Sequence, residues 1–325
     1  MNFEFKTIGE FNEYFKDEAA CYVFLERERW QGYVVCPHCG STKNPYSVKS
    51  RSKNPDFSII PSYRCSERAC DLPFTVRTGT IFEGSKITLR KWFQAAYELS
   101  IRKKGISSVE LAQRIDVSQK TAWHMNHRLR MMIDETSPEM LTDIVEIDET
   151  YIGGNTGNKR KRIREAVVGT GYVNKTPVVG MLQRGGKVLT VAFPNTDKVD
   201  GSVLKPLIRE RVSLGANLMT DGFGAYANLH KEFASHEIVN HAKDEYVRGN
   251  IHTNSVEGFF SQLKRTVYGT HHWVSRKHLQ RYCTETSFKY NERGLSSPAR
   301  FYITFKNINN EKITYKELTE KKLIY

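Results

Sequence analysis

The chain has 325 residues, with 49 lysines and arginines against 36 acidic residues, which gives a formal net charge of +13. A hydrophobic fraction of 39% excludes wholesale disorder, and the length predicts two or three domains of about 150 residues each. So large a basic excess favours a polyanionic partner, most simply nucleic acid. No apolar run approaches the roughly 18 residues of a membrane span, and the first residues lack the pattern of a secretory signal. We therefore expect a cytoplasmic protein without a membrane partner.

Two close pairs of cysteines stand out in residues 1–80. A short helical segment over 1–30 precedes an irregular stretch that holds Cys36-Pro-His-Cys39 and Cys65-Ser-Glu-Arg-Ala-Cys70. Each pair can supply two thiolates from a tight turn, and a separation of about 25 residues is typical of a four-thiolate zinc site. We predict one structural Zn²⁺ ion bound by Cys36, Cys39, Cys65 and Cys70. The alternative is four unrelated free cysteines.

Residues 81–140 predict helices with basic faces. Ser107 and Ser118 are candidate N-caps of two short helices that are joined by the turn Ile115-Asp-Val117, a pattern that resembles a helix-turn-helix. The exposed start of the second helix would contact base edges, and basic residues farther along would contact phosphates. The alternative is an ordinary helical hairpin with a solvated basic face. The candidate contacts are Lys120 and His124 to bases, and Arg128 and Arg130 to phosphates.

From residue 141 onward, short apolar runs alternate with helical segments. Four runs up to residue 193 predict strands, and Gly185-Gly186 between the last two predicts a hairpin. Helical and strand segments alternate up to residue 239. A long helical stretch from Asn254 to Asn291 follows, and we expect it to break near Gly269. The tail, residues 307–325, is rich in Lys and Glu and is expected to be solvated.

Acidic residues occupy two of the predicted strands. Glu146 and Asp148 alternate with Val145 and Ile147, so both acids are expected on one face of the strand. Asp221 ends a later apolar strand. Acids within a β-run are costly unless they bind something.

A third acid lies on the helix that begins near Asn254. Glu257, Ser261 and Lys264 follow at helical spacing and share a face. The apolar stripe on the opposite side consists of Val256, Phe259, Phe260 and Leu263.

Two strand-borne aspartates and a helix-borne glutamate predict a site for two Mg²⁺ (or Mn²⁺) ions, because hard cations take oxygen ligands. Such ions activate an attacking oxygen and stabilise the leaving oxygen of a phosphodiester. Taken singly, each acid has a structural alternative. Glu146 and Glu149 would be ion-pair partners, Asp221 a turn former before Gly222, and Glu257 an acid of a first helical turn.

Three stretches together resemble the catalytic blocks of the DDE transposases of bacterial insertion sequences, in the ISXO-type subgroup with an amino-terminal zinc ribbon. The resemblance covers roughly residues 22–291 and implies DNA cleavage at element ends followed by strand transfer into target DNA. The stretches are Val145-Glu-Ile-Asp-Glu-Thr-Tyr-Ile-Gly-Gly154, Thr220-Asp-Gly-Phe-Gly-Ala-Tyr226 and His252-Thr-Asn-Ser-Val-Glu-Gly-Phe-Phe-Ser-Gln-Leu-Lys-Arg265.

By position, the resemblance implies that Asp148 and Asp221 are the first two catalytic metal ligands. The third is either Glu257 or Asn254; we favour Glu257, because an ionised carboxylate binds Mg²⁺ better than a neutral amide, whereas Asn254 occupies an expected helix N-cap. Lys264 matches the family lysine, and Lys264 and Arg265 are expected to contact DNA. A nuclease that does not join strands and a catalytically idle DNA-binding regulator are the alternative functions.

The fold class predicted in this way is α/β, with an RNase H-like catalytic core preceded by a zinc ribbon and a helix-turn-helix-like region. The predicted divisions are 1–80, 81–140, 141–306 and the tail 307–325. Partners are double-stranded DNA and, because two element ends must be paired, a second copy or larger assembly. A loop that would bind phosphates contains Lys159, Arg160, Lys161 and Arg162.

Overall fold

The computed structural model describes residues 5–48, 60–134, 138–154, 175–240, 245, 247–309 and 313–320. The chain divides into two compact units. The amino-terminal unit comprises Met1–Asp134 and Gly294–Glu320, and the sheet unit comprises Glu135–Arg293 and Lys321–Tyr325. Across the described ranges, no helix has the length and apolarity needed to cross a membrane.

Helices and strands are numbered separately in chain order. The α-helices are α1 (Ile8–Tyr14), α2 (Glu18–Trp30), α3 (Leu89–Ile101), α4 (Ser108–Ile115), α5 (Gln119–Met132), α6 (Gly201–Arg211), α7 (Asn254–Lys264), α8 (Leu279–Asn291), α9 (Ser297–Thr304) and α10 (Tyr315–Thr319). The strands are β1 (Tyr46–Val48), β2 (Ser62–Arg64), β3 (Pro73–Thr75), β4 (Ile144–Ile152), β5 (Thr176–Gln183), β6 (Val188–Ala192), β7 (Asn217–Asp221) and β8 (Ser235–Val239).

Aromatic packing forms the core of the amino-terminal unit. The rings of Phe11 and Phe93 each lie 5.0 Å from the ring of Phe15, and Phe301 of α9 lies 5.3 Å from Phe11. Edge-to-face aromatic contacts of this kind add to the burial energy of large side chains. Helix α9, which the sequence-based division placed with the catalytic segment, therefore belongs to the amino-terminal unit.

A three-stranded antiparallel sheet, in the order β1-β2-β3, forms the ribbon that follows α2. Tyr63 pairs with Phe74 across β2 and β3, and their rings stack at 5.8 Å. Trp30 at the end of α2 packs edge-on against both rings. The ribbon thus has an aromatic face of its own despite its small size.

Helices α4 and α5 are joined by a short turn, as the sequence predicted. The Ser107 and Ser118 side chains accept the hydrogen bonds of helix N-caps, and Asp116 ends α4 in the left-handed conformation with φ of 51°. The described tail is not solvated throughout, because Ile308, Ile313 and Leu318 are buried. The expectation of a solvated tail therefore failed where apolar side chains recur among the Lys and Glu residues.

The sheet unit contains a five-stranded sheet in the order β6-β5-β4-β7-β8. Strand β5 runs antiparallel to β4 and β6, whereas β7 runs parallel to β4 and β8. The predicted hairpin joins β5 to β6, and Gly185 adopts the positive φ of 71° that its turn requires. Strand β4 lies at the centre of the sheet.

Apolar side chains cover both faces of this sheet. On one face, Val145, Ile147 and Leu218 pack against Leu204 and Ile208 of α6. On the other face, residues of β5 and β6 pack against α7 and α8; they include Val178, Leu182, Val188, Val256, Phe259, Phe260, Leu279 and Cys283. Alternation along β4 therefore directs Glu146 and Asp148 towards the α7 face, as predicted from the sequence.

Helix α7 approaches the sheet closely at Gly180, the residue that pairs with Asp148 across β4 and β5. A Cβ atom on Gly180 would lie 2.8 Å from two ring atoms of Phe260. Glycine is therefore required at this position, because any side chain would clash with Phe260. The close approach also brings α7 alongside the strand that carries Asp148.

Candidate functional site

Strand pairing brings the two aspartates together. Strands β4 and β7 are parallel with Glu146 opposite Met219, and continuing that register by two residues sets Asp148 beside Asp221. Both aspartates then share the face that α7 covers. The Asp148 carboxylate accepts a 2.7 Å hydrogen bond from the Glu149 N–H, and the Asp221 carboxylate accepts one of 3.0 Å from the Phe223 N–H.

Helix α7 divides its residues between core and surface as predicted. The stripe that contains Phe259 and Leu263 is buried, whereas Glu257, Ser261 and Lys264 are exposed on another face. Asn254 is exposed as the first residue of the helix, and Thr253 occupies the N-cap position instead. The observed N-cap is therefore one residue before the predicted one, Asn254, a difference within the usual uncertainty of a helix end.

The pKa of Asp148 is raised by burial and is shifted further by neighbouring charged groups. Burial raises this pKa from 3.8 to about 7, and the hydrogen bond from the Glu149 N–H opposes the rise. The carboxylates of Asp221 and Glu257 raise it further, whereas the Lys264 ammonium lowers it. Coulomb effects of this kind act over short distances, so the structure brings these side chains from β4, β7 and α7 into one neighbourhood.

Glu149 lies on the opposite face of β4, beside the buried Tyr226. Burial raises the pKa of Glu149 to about 8, although the Tyr226 hydroxyl lowers it, and the charges of Asp148 and Asp221 raise it as well. Burial in turn raises the pKa of Tyr226, and the Glu149 carboxylate adds to that rise. The acids of β4 therefore lie on both faces of the sheet, with Glu146 fully buried and Asp148 and Glu149 partly buried.

The four cysteines are gathered more tightly than the acids. The ligand atoms of Cys36, Cys39, Cys65 and Cys70 all lie within 4.8 Å of one another. In the described part of the chain, they form the one such group of three or more His, Cys, Asp or Glu residues. The donor set suits tetrahedral Zn²⁺, and it supports a structural zinc ion in the ribbon.

A turn of the expected kind shapes the first cysteine pair. The Gly40 N–H donates to the Cys36 carbonyl oxygen at 2.9 Å, and Gly40 has a positive φ of 73°. The His38 ring contacts the Pro73 carbonyl oxygen at 3.4 Å and lies outside the cluster. Cys21 is fully buried in α2 and lies outside the cluster.

The candidate base-contacting residues of α5 differ in their surroundings. Lys120 is exposed, but its ammonium lies 4.3 Å from the centroid of the Tyr315 ring in α10. His124 is half-buried, and its Nε2 atom is 3.0 Å from the Ile313 carbonyl oxygen. Burial lowers the pKa of His124, which favours a neutral ring. Segment 313–320 thus occupies part of the helix surface that was expected to face DNA.

Two of the predicted phosphate contacts are corrected by the structure. Arg128 and Arg130 are buried, and the Arg128 guanidinium donates to the carbonyl oxygens of Ile81 and Ile313. Sequence periodicity failed here because long-range packing, rather than solvent, covers that side of α5.

The other predicted DNA-contacting residues lie in two segments. Lys264 and Arg265 are exposed at the end of α7. The basic loop residues Lys159, Arg160, Lys161 and Arg162 lie outside the described residues.

For Glu146, the sequence offered a role as an ion-pair partner, which the structure shows, but it missed the hydrogen bonds to the start of α7. This glutamate is fully buried, and its carboxylate accepts hydrogen bonds from the N–H groups of Ser255 (2.8 Å) and Val256 (3.0 Å). The Arg184 guanidinium pairs with the same carboxylate at 2.6 Å. The sequence signal was an acid inside an apolar strand, but its partners lie between 38 and 110 residues away along the chain.

A zinc-ribbon cysteine cluster and an acid-bearing α/β sheet define a class of nucleic-acid-processing proteins, and comparisons with known families specify it. An ISXO2-like transposase domain matches residues 140–291, and a transposase zinc-ribbon domain matches residues 16–71. The chain therefore belongs to the ISXO2-like transposases, a family whose domains imply DNA binding.

Two similar proteins come from microorganisms. An uncharacterized protein in transposable element ISH50 of Halobacterium salinarum is 31% identical over 276 residues, which are 82% of this chain and 89% of that protein. An uncharacterized transposase-like protein of Haemophilus influenzae is 28% identical over 111 residues, which are 34% of this chain and 86% of that protein. The resemblance inferred from the sequence motifs is thus confirmed.

Proposed function

We propose that this protein is a metal-dependent DNA transposase that cleaves DNA at the ends of an insertion sequence and joins the cleaved strand to target DNA. The observation that carries the proposal is the convergence of Asp148, Asp221, Glu257 and Lys264 from three elements of the sheet unit. Their mutual effect on the pKa of Asp148 supports a shared site. Family membership and the net charge of +13 support DNA as the substrate.

The residues that would hold Mg²⁺ or Mn²⁺ are Asp148, Asp221 and Glu257. Three oxygen donors suit hard cations, and a divalent cation would relieve the unfavourable interaction of Asp148 with the carboxylates of Asp221 and Glu257. Bound there, the metal would activate the attacking oxygen and stabilise the leaving oxygen of the phosphodiester. The exposed Lys264 would hold a DNA phosphate beside the acids.

Glu257 is favoured over Asn254 as the third ligand. The Glu257 carboxylate acts on the pKa of Asp148 and accepts a 2.9 Å hydrogen bond from the Thr253 hydroxyl. Asn254 begins α7, one helical turn before Glu257, and its side chain is exposed. A carboxylate that is oriented by a hydrogen bond and acts on the pKa of Asp148 fits a metal ligand better than an exposed amide.

The strand order β6-β5-β4-β7-β8, with β5 antiparallel to its neighbours, supports an RNase H-like core. The ribbon and the α4–α5 pair would bind DNA, with Lys120 nearer to bases than His124. Because two element ends must be paired, the working form would be a dimer or a larger assembly in the cytoplasm.

The test uses labelled DNA from both flanks of the coding region, which would carry the element ends. Asp148→Asn and Asp221→Asn should each lower cleavage roughly a thousandfold or more, because the remaining residues supply no other means of phosphoryl transfer. Both variants should bind the DNA as wild type does. Glu210→Gln, which removes an exposed acid of the same unit, is the control and should cleave normally.

Each alternative gives a different result. Cleavage without joined product would identify a nuclease, and DNA binding without cleavage by the wild type would identify a regulator. Loss of activity in Asn254→Ala with normal activity in Glu257→Gln would reverse the choice of third ligand. Wild-type strand transfer by Asp148→Asn would refute the catalytic assignment as a whole.

A further inference from the structure

Helix α7 begins without a capping side chain of its own. Thr253 occupies the N-cap position, yet its side chain accepts no backbone N–H of the first turn. The first N–H groups of a helix have no partner within the helix, and a buried helix start without partners is costly. Ser, Thr, Asp or Asn at the N-cap ordinarily satisfies them. The Thr253 hydroxyl instead donates to Glu257 at 2.9 Å.

Glu146 of β4 supplies the missing cap through space. Its Oε2 atom accepts from the N–H groups of Ser255 and Val256, the second and third residues of the helix, where an N-cap side chain would bind. Its Oε1 atom accepts from the Ser255 hydroxyl at 3.0 Å. The negative charge also lies at the positive end of the helix dipole.

Arg184 holds this carboxylate and the chain that leads into the helix. Besides its 2.6 Å contact with Glu146, the guanidinium donates to the carbonyl oxygens of Asn250 (2.6 Å) and His252 (2.9 Å). One arginine of the β5–β6 hairpin thus ties the segment before α7 to the acid that caps the helix. Glu146, in turn, lies two residues before Asp148, about 7 Å along the same strand.

We propose that Glu146 and Thr253 are positioning residues for the catalytic metal site, with Glu146 capping α7 from β4 so that the Thr253 hydroxyl is free to orient Glu257. The inference rests on the proposed function, because it takes Glu257 as a metal ligand. The two roles depend on each other. If Glu146 did not bind the first-turn N–H groups, the Thr253 side chain would rotate to accept from them, and its O–H would no longer be directed at Glu257.

The variants separate the two roles. Glu146→Gln removes the charge and places an amide NH2 group beside the N–H groups, the hydroxyl and the guanidinium that now donate to the carboxylate. Thr253→Val keeps the shape of a buried side chain but removes the hydroxyl, and Thr253→Ser restores it. Glu232→Gln is the matched control, because it breaks an ion pair to Arg209 with the same 2.6 Å separation on the exposed surface of the sheet unit.

The direct readout is Mn²⁺ binding to the full chain without DNA, which is monitored through the electron paramagnetic resonance signal of the free ion. Binding that is lost in Asp148→Asn is attributed to the proposed site. Glu146→Gln and Thr253→Val should each weaken this binding about 10- to 100-fold, as loss of residues that support metal ligands commonly does. Thr253→Ser should restore wild-type affinity, and Glu232→Gln should not change it. Hydrogen exchange of peptides that cover 253–264 should accelerate in Glu146→Gln.

Wild-type Mn²⁺ affinity in folded Thr253→Val and Glu146→Gln would overturn the proposal. So would equal weakening in Thr253→Ser and Thr253→Val, because the hydroxyl would then not matter. If the wild type itself shows no binding that depends on Asp148, the proposed function fails. The cap is judged separately: unchanged exchange of α7 in Glu146→Gln would refute it whatever the metal result.

Discussion

Asp148→Asn is expected to stabilise the metal-free protein while it abolishes the response to divalent metal. Burial, with the charges of Asp221 and Glu257, raises the pKa of Asp148 from its ordinary 3.8 to about 7 in the folded state. Because folding disfavours the ionised form, this side chain costs stability progressively as pH rises from about 4 to about 7, and the cost is constant above that range. At about 1.4 kcal/mol per pKa unit, the full cost is about 4 kcal/mol.

Asparagine removes this cost without changing the local geometry. It has the size of aspartate, and its side-chain oxygen can accept the same 2.7 Å hydrogen bond from the Glu149 N–H. The free energy of unfolding, measured with urea in the presence of a chelator, should be higher for the variant by up to about 4 kcal/mol near pH 8 and by less than about 2 kcal/mol near pH 5. Added Mg²⁺ should stabilise the wild type near pH 8 and leave the variant unchanged.

Glu232→Gln is the control, because the pKa of this carboxyl is shifted in the direction opposite to that of Asp148. Arg209 lowers the pKa of Glu232 by a hydrogen bond, so Glu232→Gln should not stabilise the protein near pH 8. An Asp148→Asn variant that is less stable than wild type near pH 8, or a difference that does not depend on pH, would refute the argument.

Three further predictions concern the ribbon, the helix contact and DNA binding. Metal analysis should find one zinc ion per chain, and Cys36→Ser should lower that content, whereas full zinc occupancy in the variant would contradict the four-cysteine site. Gly180→Ala should destabilise the fold by about 1–3 kcal/mol through its clash with Phe260, whereas Gly258→Ala, which meets nothing within 4 Å, should be neutral or slightly stabilising. DNA affinity should fall with salt at a log–log slope of about −5 or steeper, and a flat response would exclude phosphate contacts by the loop Lys159–Arg162.

The features that the sequence predicted correctly depend on short-range patterns. The spacing of Cys36, Cys39, Cys65 and Cys70 needs only two turns to present thiolates. Alternation along residues 144–149 depends on the twofold period of a strand, and the exposed face of α7 depends on the helical period. Each pattern extends over a few residues, so it can be recognised without knowledge of the tertiary structure. Membership of the transposase family was predictable for the same reason, because its motifs are contiguous.

The features that were missed depend on contacts between distant parts of the chain. Arg128 has the spacing of an exposed helix residue, but the carbonyl oxygen of Ile313, 185 positions away, accepts from its guanidinium. Helix α9 follows the sheet unit in sequence, yet the Phe301 ring packs among aromatic residues near the amino terminus. Local periodicity cannot distinguish burial by a remote segment from exposure to solvent. The assignments of His124 and of the tail were affected in the same way.

The acids of β4 show most clearly what tertiary structure adds. Glu146 and Asp148 lie on the same face of the same strand, two residues apart, and from sequence both are acids that must bind something. Glu146 is surrounded by donors: an arginine, a hydroxyl and two backbone N–H groups. Asp148 has one backbone donor and otherwise faces carboxylates, with the ammonium of Lys264 as the opposing charge. A carboxylate whose oxygens already accept hydrogen bonds from the fold needs no ligand. A carboxylate that lies among other carboxylates is stabilised when a cation offsets their negative charge. This difference supports a capping role for Glu146 and the proposed metal binding by Asp148.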